Sequence, residues 1–319
     1  MNTLVSAVIV NYNGKDIIIK AIETLKRQSY KQIEILVVDN NSTDGSPALI
    51  KGKYKEVVLI QNKENLGYCG INAAIHKCKG KYIFFTNNDI ALDKNCIRNL
   101  VNAIEHDKNI GIASPKVVNY FNNNLKSAGT WVSRSFYNGH FKSSKDFRKQ
   151  IPYNGIGLIR KSIVDKFGYL FDEDYFTYAE DLDLGLRVRL LGYYVMHIPE
   201  AVLYHMHELT LGKSRKYKLT YLMERNLLAT FIKLLPVKNI ILFLPYVIAM
   251  RFIGALKDIL GLRFANSIAR FVAIFAVIAN MPSIIKKRII IQKMRKADDL
   301  FLLKVFDEKY LFSRERINV

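Results

Sequence analysis

Cysteine is scarce in this chain: three residues in 319, Cys69, Cys78 and Cys96, with no C-x-x-C spacing among them. That excludes a disulfide framework and a zinc pattern, and it reads as ordinary thiols in a reducing compartment. Phosphate-binding glycine signatures are missing too. The first turn is Asn13-Gly14-Lys15-Asp16 instead of G-x-G-x-x-G, and no G-x-x-x-x-G-K-[ST] occurs. A Rossmann dehydrogenase and a P-loop NTPase are thereby set aside. Long apolar runs are also absent. Ile240 to Met250 contains Pro245 and stops at Arg251, and Phe271 to Ile285 is interrupted by Asn280, Pro282 and Ser283. Neither reaches the roughly 20 residues that a spanning helix needs. The first ten residues lack a basic segment and run straight into a strand-like pattern, so no signal peptide is read and the N-terminal domain is expected in the cytosol.

Acidic residues are the last scarcity, and it is local. Between Thr210 and Ala297 only Glu224 and Asp258 are acidic, against 17 basic residues. The formal net charge of +20 is therefore uneven, about +7 in residues 1–207 and +13 in 208–319. A segment both basic and rich in Leu, Ile, Val and Phe suits an anionic membrane surface, with helices lying in the interface. A helix that spans the membrane is a second reading of the same segment, and a helical subdomain packed on the rest of the chain, or forming a homodimer, a third. Nucleic acid is disfavoured as a partner, because the basic residues interleave with aliphatic side chains and no nucleic-acid motif appears.

The first 113 residues alternate. Leu4–Val10, Ile33–Val38, Val57–Ile60, Tyr82–Thr86 and Ile110–Ala113 read as strands, and the stretches between them as helices, with Ser46-Pro47 as a helix start. Such alternation implies an α/β fold with a mainly parallel sheet flanked by helices, whose ligands bind at the carboxyl ends of the strands. Polar clusters fall at those ends: Asn11-Tyr12-Asn13, Asp39-Asn40-Asn41 and Asn87-Asn88-Asp89. Residues 114–150 lose the alternation and hold the only Trp, Trp131, with Tyr137, His140, Phe141 and Phe147. They read as a loop-rich insert over the cleft, of the kind that binds substrate or closes as a lid. Strands at Tyr193–Ile198 and Ala201–His205 follow, and long helical segments begin after a boundary near 210.

Within this frame a few side chains carry chemistry. Tyr178-Ala-Glu180-Asp181-Leu-Asp183 opens a short buried helix that ends at Gly192. Asp181 falls in its first turn, where free N–H groups and the helix dipole favour an ionised carboxylate, as a general base requires; Glu180 beside it pushes its pKa the other way. Plain capping with an Asp183–Arg187 ion pair is the bland alternative. Asp89, at a strand end, suits a divalent cation shared with phosphate oxygens, or else merely closes an Asx-turn. His205 and His207, one strand repeat apart, are candidate imidazole ligands or structural residues. Asp39 suits a base or a ribose, and Gly67, Gly70 and Asn72 allow a helix start to approach a ligand closely.

Taken in order, Val8-Ile-Val-Asn11-Tyr12-Asn13, Val37-Val-Asp39-Asn-Asn-Ser-Thr-Asp44-Gly45-Ser46, Asn65-Leu-Gly67-Tyr-Cys-Gly70-Ile-Asn72, Asn87-Asn-Asp89, Gly155 through Arg160, Phe171 through Asp183, His205 and Arg225-Asn226-Leu-Leu resemble the family 2 glycosyltransferases, nearest to their rhamnosyltransferase-like branch. The resemblance covers about residues 4–235. It implies a GT-A fold, an inverting transfer from a nucleotide-diphospho-sugar donor, and Mn2+ or Mg2+ as the divalent cation. It further implies Asp39 on the nucleobase, Asn11 and Asn65 lining the nucleotide pocket with Tyr12, Gly67, Asn72 and Asn88 beside them, and Asp181 as base. Asp89 resembles the last acid of the Asp-x-Asp metal motif; Asn87 stands at the first position, which gives His205 more weight as a ligand. Trp131, Gly155 and Glu180 are placed on the acceptor side. On this reading residues 1–209 are the catalytic domain, with a nucleotide-binding half to about 113 and an acceptor-binding half from 114. Residues 210–319 form the basic helical region, holding the enzyme as a peripheral or monotopic protein on the cytoplasmic face of the membrane, where a polyprenyl-linked glycan acceptor lies. A non-catalytic sugar-nucleotide-binding or scaffold protein of the same fold is the alternative.

Overall fold

The computed structural model describes residues 3–143, 149–206 and 216–307. The alternating pattern folds as expected: β1 (Val5–Asn11), α1 (Lys15–Lys26), β2 (Ile33–Asp39), α2 (Ser46–Lys53), β3 (Val58–Gln61), a 3-10 helix (Gly67–Lys77), β4 (Tyr82–Asn87), β5 (Ile90–Leu92), α3 (Cys96–His106) and β6 (Ile110–Asn119). One detail differs at α2, where Gly45 is the N-cap and Ser46 is already helical; the Ser46 hydroxyl bonds Asp44 instead of capping. Then come β7 (Leu125–Ser127), β8 (Thr130–Ser133), β9 (Asn138–His140), β10 (Gly157–Arg160), α4 (Lys161–Phe167), a 3-10 turn (Glu173–Tyr175), α5 (Glu180–Leu190) and β11 (Tyr194–His205). Among the described residues five helices and a short strand follow: α6 (Lys216–Leu234), α7 (Val237–Leu260), α8 (Phe264–Ala279), α9 (Met281–Lys293), α10 (Asp299–Leu303) and β12 (Phe306–Asp307).

The main sheet has the order β3-β2-β1-β4-β10-β6-β11-β5, with β7 on β6. The pairs among β3, β2, β1 and β4 and the pair β6–β11 are parallel, while β10 and β5 run antiparallel. One face of the sheet packs on α1 and α3 and the other on the 3-10 helix, α5 and α6, so each face has its own apolar core. The two strands expected at 193–205 are one, β11, with a register shift between Ile198 and Val202. Pro199 lies in that gap, where its missing N–H removes a ladder donor.

The insert is more regular than its composition suggests. β6 runs on to Asn119 because Lys116–Asn119 pair with Val202–His205, and β8 and β9 form a small second sheet completed by β12. Trp131 is buried there, only 2% exposed, packed with Ala128 and Phe141 instead of standing open to a ligand. Phe147 and His207 lie outside the described residues, as does the boundary near 210.

The basic helical region does not stand apart. Leu227, Leu228, Phe231 and Leu234 of α6 enter the core beneath α5. The helix expected to stop at Arg251 continues as α7 to Leu260, since the Arg251 guanidinium turns inward to the Ser135 carbonyl (2.7 Å) and Glu224 (3.2 Å). By length and composition α7 could cross a membrane. α8 and α9, bent by 65°, pass the same test only as a pair. Among the described residues these are the elements that qualify.

Candidate active site

The carboxyl ends of β1, β2 and β4 interlock through amides and carboxylates. Asn11 donates from Nδ2 to Asp39 Oδ1 (2.8 Å) and Ser46 Oγ (2.9 Å), and its Oδ1 accepts from Asn88 Nδ2 (2.8 Å). Asp39 also accepts from the Ser42 hydroxyl (2.6 Å) and amide (2.9 Å). Short polar side chains at a strand end can take up the turn's donors in this way. Asn11 and Asp39 are both fully buried, and Asn88 nearly so, whereas Tyr12, next along the chain from Asn11, is 44% exposed.

The next wall is the start of the 3-10 helix. Asn65 Oδ1 accepts from the Gly67 amide (2.9 Å), and Asn40 Nδ2 donates to the Gly67 carbonyl (2.7 Å). Gly67 has φ +63°, and a Cβ there would lie 2.2 Å from the Phe176 carbonyl oxygen. Only glycine permits that crossing of two backbones. Asn72 behaves differently from the expectation. Its Nδ2 donates to the Phe171 carbonyl (2.7 Å) and its Oδ1 accepts from the Leu170 and Phe171 amides, so its amide is occupied in fastening the helix to the loop before α5.

Asp89 and His205 meet across β5 and β11, with Asp89 Oδ2 3.5 Å from His205 Nδ1. Both are 5% exposed. Burial, with Lys126 and His140 nearby, lowers the His205 pKa to about 4, so the ring is neutral at pH 7 and keeps a lone pair for a cation. Among the described residues no three His, Cys, Asp or Glu side chains gather as a metal-holding group. One carboxylate and one neutral imidazole, with phosphate oxygens to complete the shell, nonetheless fit a hard divalent cation.

Asp181 and Glu180 open α5 as predicted, and Gly192, at φ +86°, follows its end. The Asp183–Arg187 pair is real as well, at 2.6 Å, so the bland account holds for Asp183. It does not hold for the first two acids. Glu180 is buried, and its Oε2 has no hydrogen-bond partner among the described residues. Half-buried Asp181 accepts from the Leu182 amide (2.8 Å). The helix start was expected to favour its ionised form, but burial outweighs those amides and raises its pKa to about 6. Glu180 is raised well above the carboxylate range by burial and by the charge of Asp181.

Three non-glycine residues at positive φ, Phe176, Tyr178 and Ala179, lead into this helix. Each costs about 1–3 kcal/mol, and such clusters mark functional sites that the surroundings over-determine. Gly155 lies against the acid: a Cβ there would come within 3.3 Å of Asp181 Oδ2. The Tyr68 hydroxyl donates to the Gly155 carbonyl (2.7 Å). Burial raises the Tyr68 pKa, and the charges of Glu180, Asp181 and Asp89 raise it further, so these three acids lie within electrostatic reach of its hydroxyl.

A sequence profile described as glycosyl transferase family 2 matches residues 6–168. The chain belongs to this family. Among relatives of this family 2 chain, the Escherichia coli protein WfaP, named UDP-Glc:alpha-D-GlcNAc-diphosphoundecaprenol beta-1,3-glucosyltransferase, is 36% identical over 107 residues, 33% of this chain and 43% of that protein. The match thus spans under half of that relative's length. The N-acetylglucosaminyl-diphospho-decaprenol L-rhamnosyltransferase of Mycobacterium tuberculosis is 23% identical over 236 residues, 64% of this chain and 76% of that protein. A Pyrobaculum calidifontis mannosyltransferase, solved with GDP-Man and Mn2+, superposes with TM-score 0.54 at 17% identity, covering 98% of this chain and 88% of that one. The shared fold is GT-A.

Sequence reasoning overlooked Tyr68, which stands between Gly67 and Cys69 in the quoted glycine-rich stretch, and gave Asn226 no role although its motif was noted. Only the folded geometry brings both to the loop around Asp181. Of the acceptor-side candidates, Gly155 and Glu180 lie beside Asp181 and Trp131 is enclosed in the insert.

Proposed function

We propose that the protein is an inverting glycosyltransferase that moves a hexose, with rhamnose the preferred candidate, from a nucleoside diphosphate donor to a polyprenyl-diphosphate-linked glycan in cell-surface polysaccharide synthesis. The carrying observation is Asp181: a half-buried carboxylate of raised pKa at a helix start, beside Gly155 and, like Asp89, within electrostatic reach of the Tyr68 hydroxyl. In a single displacement the acceptor hydroxyl oxygen bonds to the anomeric carbon as the bond to the diphosphate breaks. Asp181 takes the hydroxyl proton, and the nucleoside diphosphate leaves with the electron pair. A base with a pKa near neutrality is matched to that task. Asp89 and His205 would hold Mn2+ or Mg2+, which when bound neutralises charge on the diphosphate. Asn11, Asp39, Asn65 and Asn88 shape the nucleotide pocket under Tyr12. The names of the Escherichia coli and mycobacterial relatives support the lipid-linked acceptor.

Residues 1–209 form the catalytic domain on this reading and 210–319 the membrane-associating region. α7 presents Ile241, Leu242, Phe252 and Leu256 outward, α8 presents Phe275 and Ile278, and exposed Lys238, Lys257 and Lys286 lie among them. An apolar face edged by cations fits an anionic bilayer better than a second copy of an equally basic chain. Along α7, Val247, Met250, Arg251, Ala255 and Asp258 are buried against the protein, as a helix lying in the membrane plane requires.

The deciding test is release of nucleoside diphosphate from UDP-, dTDP- and GDP-sugars with Mn2+ or Mg2+, alongside calorimetry of the nucleotides on wild type and Asp89→Ala. We expect one nucleotide to bind in a cation-dependent way, weakened about ten- to a hundredfold by the substitution, as loss of a charged contact implies. Release from no donor would replace the enzyme with a scaffold. Failure to float with anionic vesicles at low salt would remove the membrane role.

A further inference from the structure

We propose that Asn226 positions the acidic start of α5, by gathering the carbonyl oxygens of the loop that leads into it. The inference rests on the reading of Asp181 as the base. Asn226 lies on α6, fully buried. Its Nδ2 donates to the carbonyls of Tyr175 (3.1 Å), Thr177 (3.0 Å) and Tyr178 (2.7 Å). Its Oδ1 accepts from Arg225 Nε at 2.9 Å, and Arg225 Nη2 donates to the carbonyls of Asp174 (2.7 Å) and Tyr175 (3.3 Å). Two neighbouring side chains of α6 therefore hold four carbonyls of one six-residue loop.

The loop needs such a hold. With Phe176, Tyr178 and Ala179 all at positive φ, the carbonyls of Tyr175, Thr177 and Tyr178 fall outside any helical or strand ladder. A buried carbonyl without a donor is costly, and a primary amide offers two hydrogens in one plane for several acceptors. On its other side the loop rests on the donor-side wall, where the Phe176 carbonyl faces Gly67 and accepts from the Cys69 amide (3.4 Å). Ala179 then gives its carbonyl to the Asp183 amide (3.0 Å), the first bond of the turn that carries Asp181. The path from Asn226 to Asp181 is thus continuous backbone. The body of α5 is anchored separately, by Leu182, Leu186 and Leu190 in the core and by Asp183 on Lys233, so the loop can loosen while the helix stays folded.

The test is Asn226→Asp in the full-length protein. The replacement has the same shape, but a carboxylate cannot donate to carbonyls. We expect kcat to fall about ten- to a hundredfold, the scale of a misplacement near 1 Å. Nucleoside diphosphate affinity and donor KM should stay within about twofold, because the strand-end pocket does not touch Asn226. Amide hydrogen exchange should rise in residues 177–183 and not in the central strands. An unchanged kcat would overturn the proposal. So would a parallel loss of nucleotide binding and strand protection, which would make Asn226 a general structural residue. Should this variant not fold, Arg225→Met, at a half-buried position of α6 whose side chain holds the same loop, is expected to lower kcat several-fold at unchanged nucleotide affinity; equal kcat there would also overturn it. Asp181→Asn in the same assays separates the two ideas. If it retains transfer, the base assignment fails, and local exchange in the Asn226 variant still decides whether the clamp exists.

Discussion

Two sets of acids crowd the same end of the molecule, and what faces them sets them apart. Asp172 and Asp183 share the buried ammonium of Lys233, at 2.6 Å from each, with Lys287 on Asp172 and Arg187 on Asp183. Glu180 and Asp181, within three residues of Asp183, make no salt bridge among the described residues. Burial alone would raise every carboxyl here. For Asp172 the lysines outweigh it and hold the group well below the usual range, while for Glu180 and Asp181 it prevails. The helix α5 thus carries one acid, Asp183, that binds it to α6, and two whose pKa burial raises. An acid whose pKa is tuned by burial without a cation is the kind that catalysis uses, whereas an acid facing a lysine is the kind that fastens helices.

The contrast is broken most sharply at Asp181. Asp181→Asn should lower kcat by about a hundred- to ten-thousandfold, the usual worth of a general base, with nucleotide affinity kept. Retained transfer would end the assignment. Wild-type kcat should itself fall as pH drops below about 6, since the base must be ionised. The stability sign runs the other way. The raised pKa favours the protonated acid, so its stabilisation is full below about pH 4 and is lost as pH rises through 6. The Asn variant, permanently neutral, should therefore melt above wild type at pH 8 by the equivalent of about 1–3 kcal/mol, and close to it at pH 4. Asp172 has the opposite slope: its stabilisation is present above about pH 4 and disappears on further acidification. Melting curves of both proteins from about pH 2 to 8 would separate the two sets, the Asp172 slope lying below pH 4 and the Asp181 slope above it.

The paired set is broken at Lys233. Lys233→Met keeps the apolar stem but leaves two buried carboxylates short of a cation, which should cost about 3–5 kcal/mol of stability. Denaturant unfolding measures it. A loss under about 1 kcal/mol would mean that Lys287 and Arg187 alone suffice, and that apolar packing of Leu227 and Phe231 holds α6 in place.

Why one set was legible in the chain and the other was not follows from distance along it. Asp183 and Arg187 are one helical turn apart, so their pairing could be read from spacing. Lys233 lies fifty residues beyond Asp183 in a segment assigned to the membrane, and no local pattern links them. The strand ends, the α/β order and the position of Asp181 in a first turn were all local signals, and the fold kept them. The upward shift of the Asp181 pKa was underestimated because a sequence shows the helix dipole but not the depth of burial that opposes it. Trp131 failed for a related reason. An aromatic in a polar stretch looks exposed until Gly139, across the strand pair, lets the indole lie flat on its Cα: a Cβ there would come 2.7 Å from the ring. Asn72 and Asn226 were visible as letters, but their partners are carbonyls, which carry no residue type.

The smallest perturbation tests whether the unpaired acids depend on orientation as well as on burial. At Gly155 a methyl group would press on Asp181 Oδ2 at 3.3 Å, close enough that the carboxylate must give by a few tenths of an ångström, while the Tyr68 bond to the Gly155 carbonyl can persist. Nothing in the paired set is touched. Gly155→Ala should therefore leave unfolding stability within about 1 kcal/mol, as a tight but yielding contact does. It should lower kcat about three- to tenfold, since about 0.7–1.4 kcal/mol is the range in which a small rotation of the base acts on the barrier. Nucleotide affinity should not move. A kcat equal to wild type would show that Asp181 tolerates a turned carboxylate and that its burial alone matters. A loss as deep as that of Asp181→Asn would mean instead that the methyl group occupies space the acceptor sugar needs, which would move Gly155 from the support of the base to the substrate's own wall.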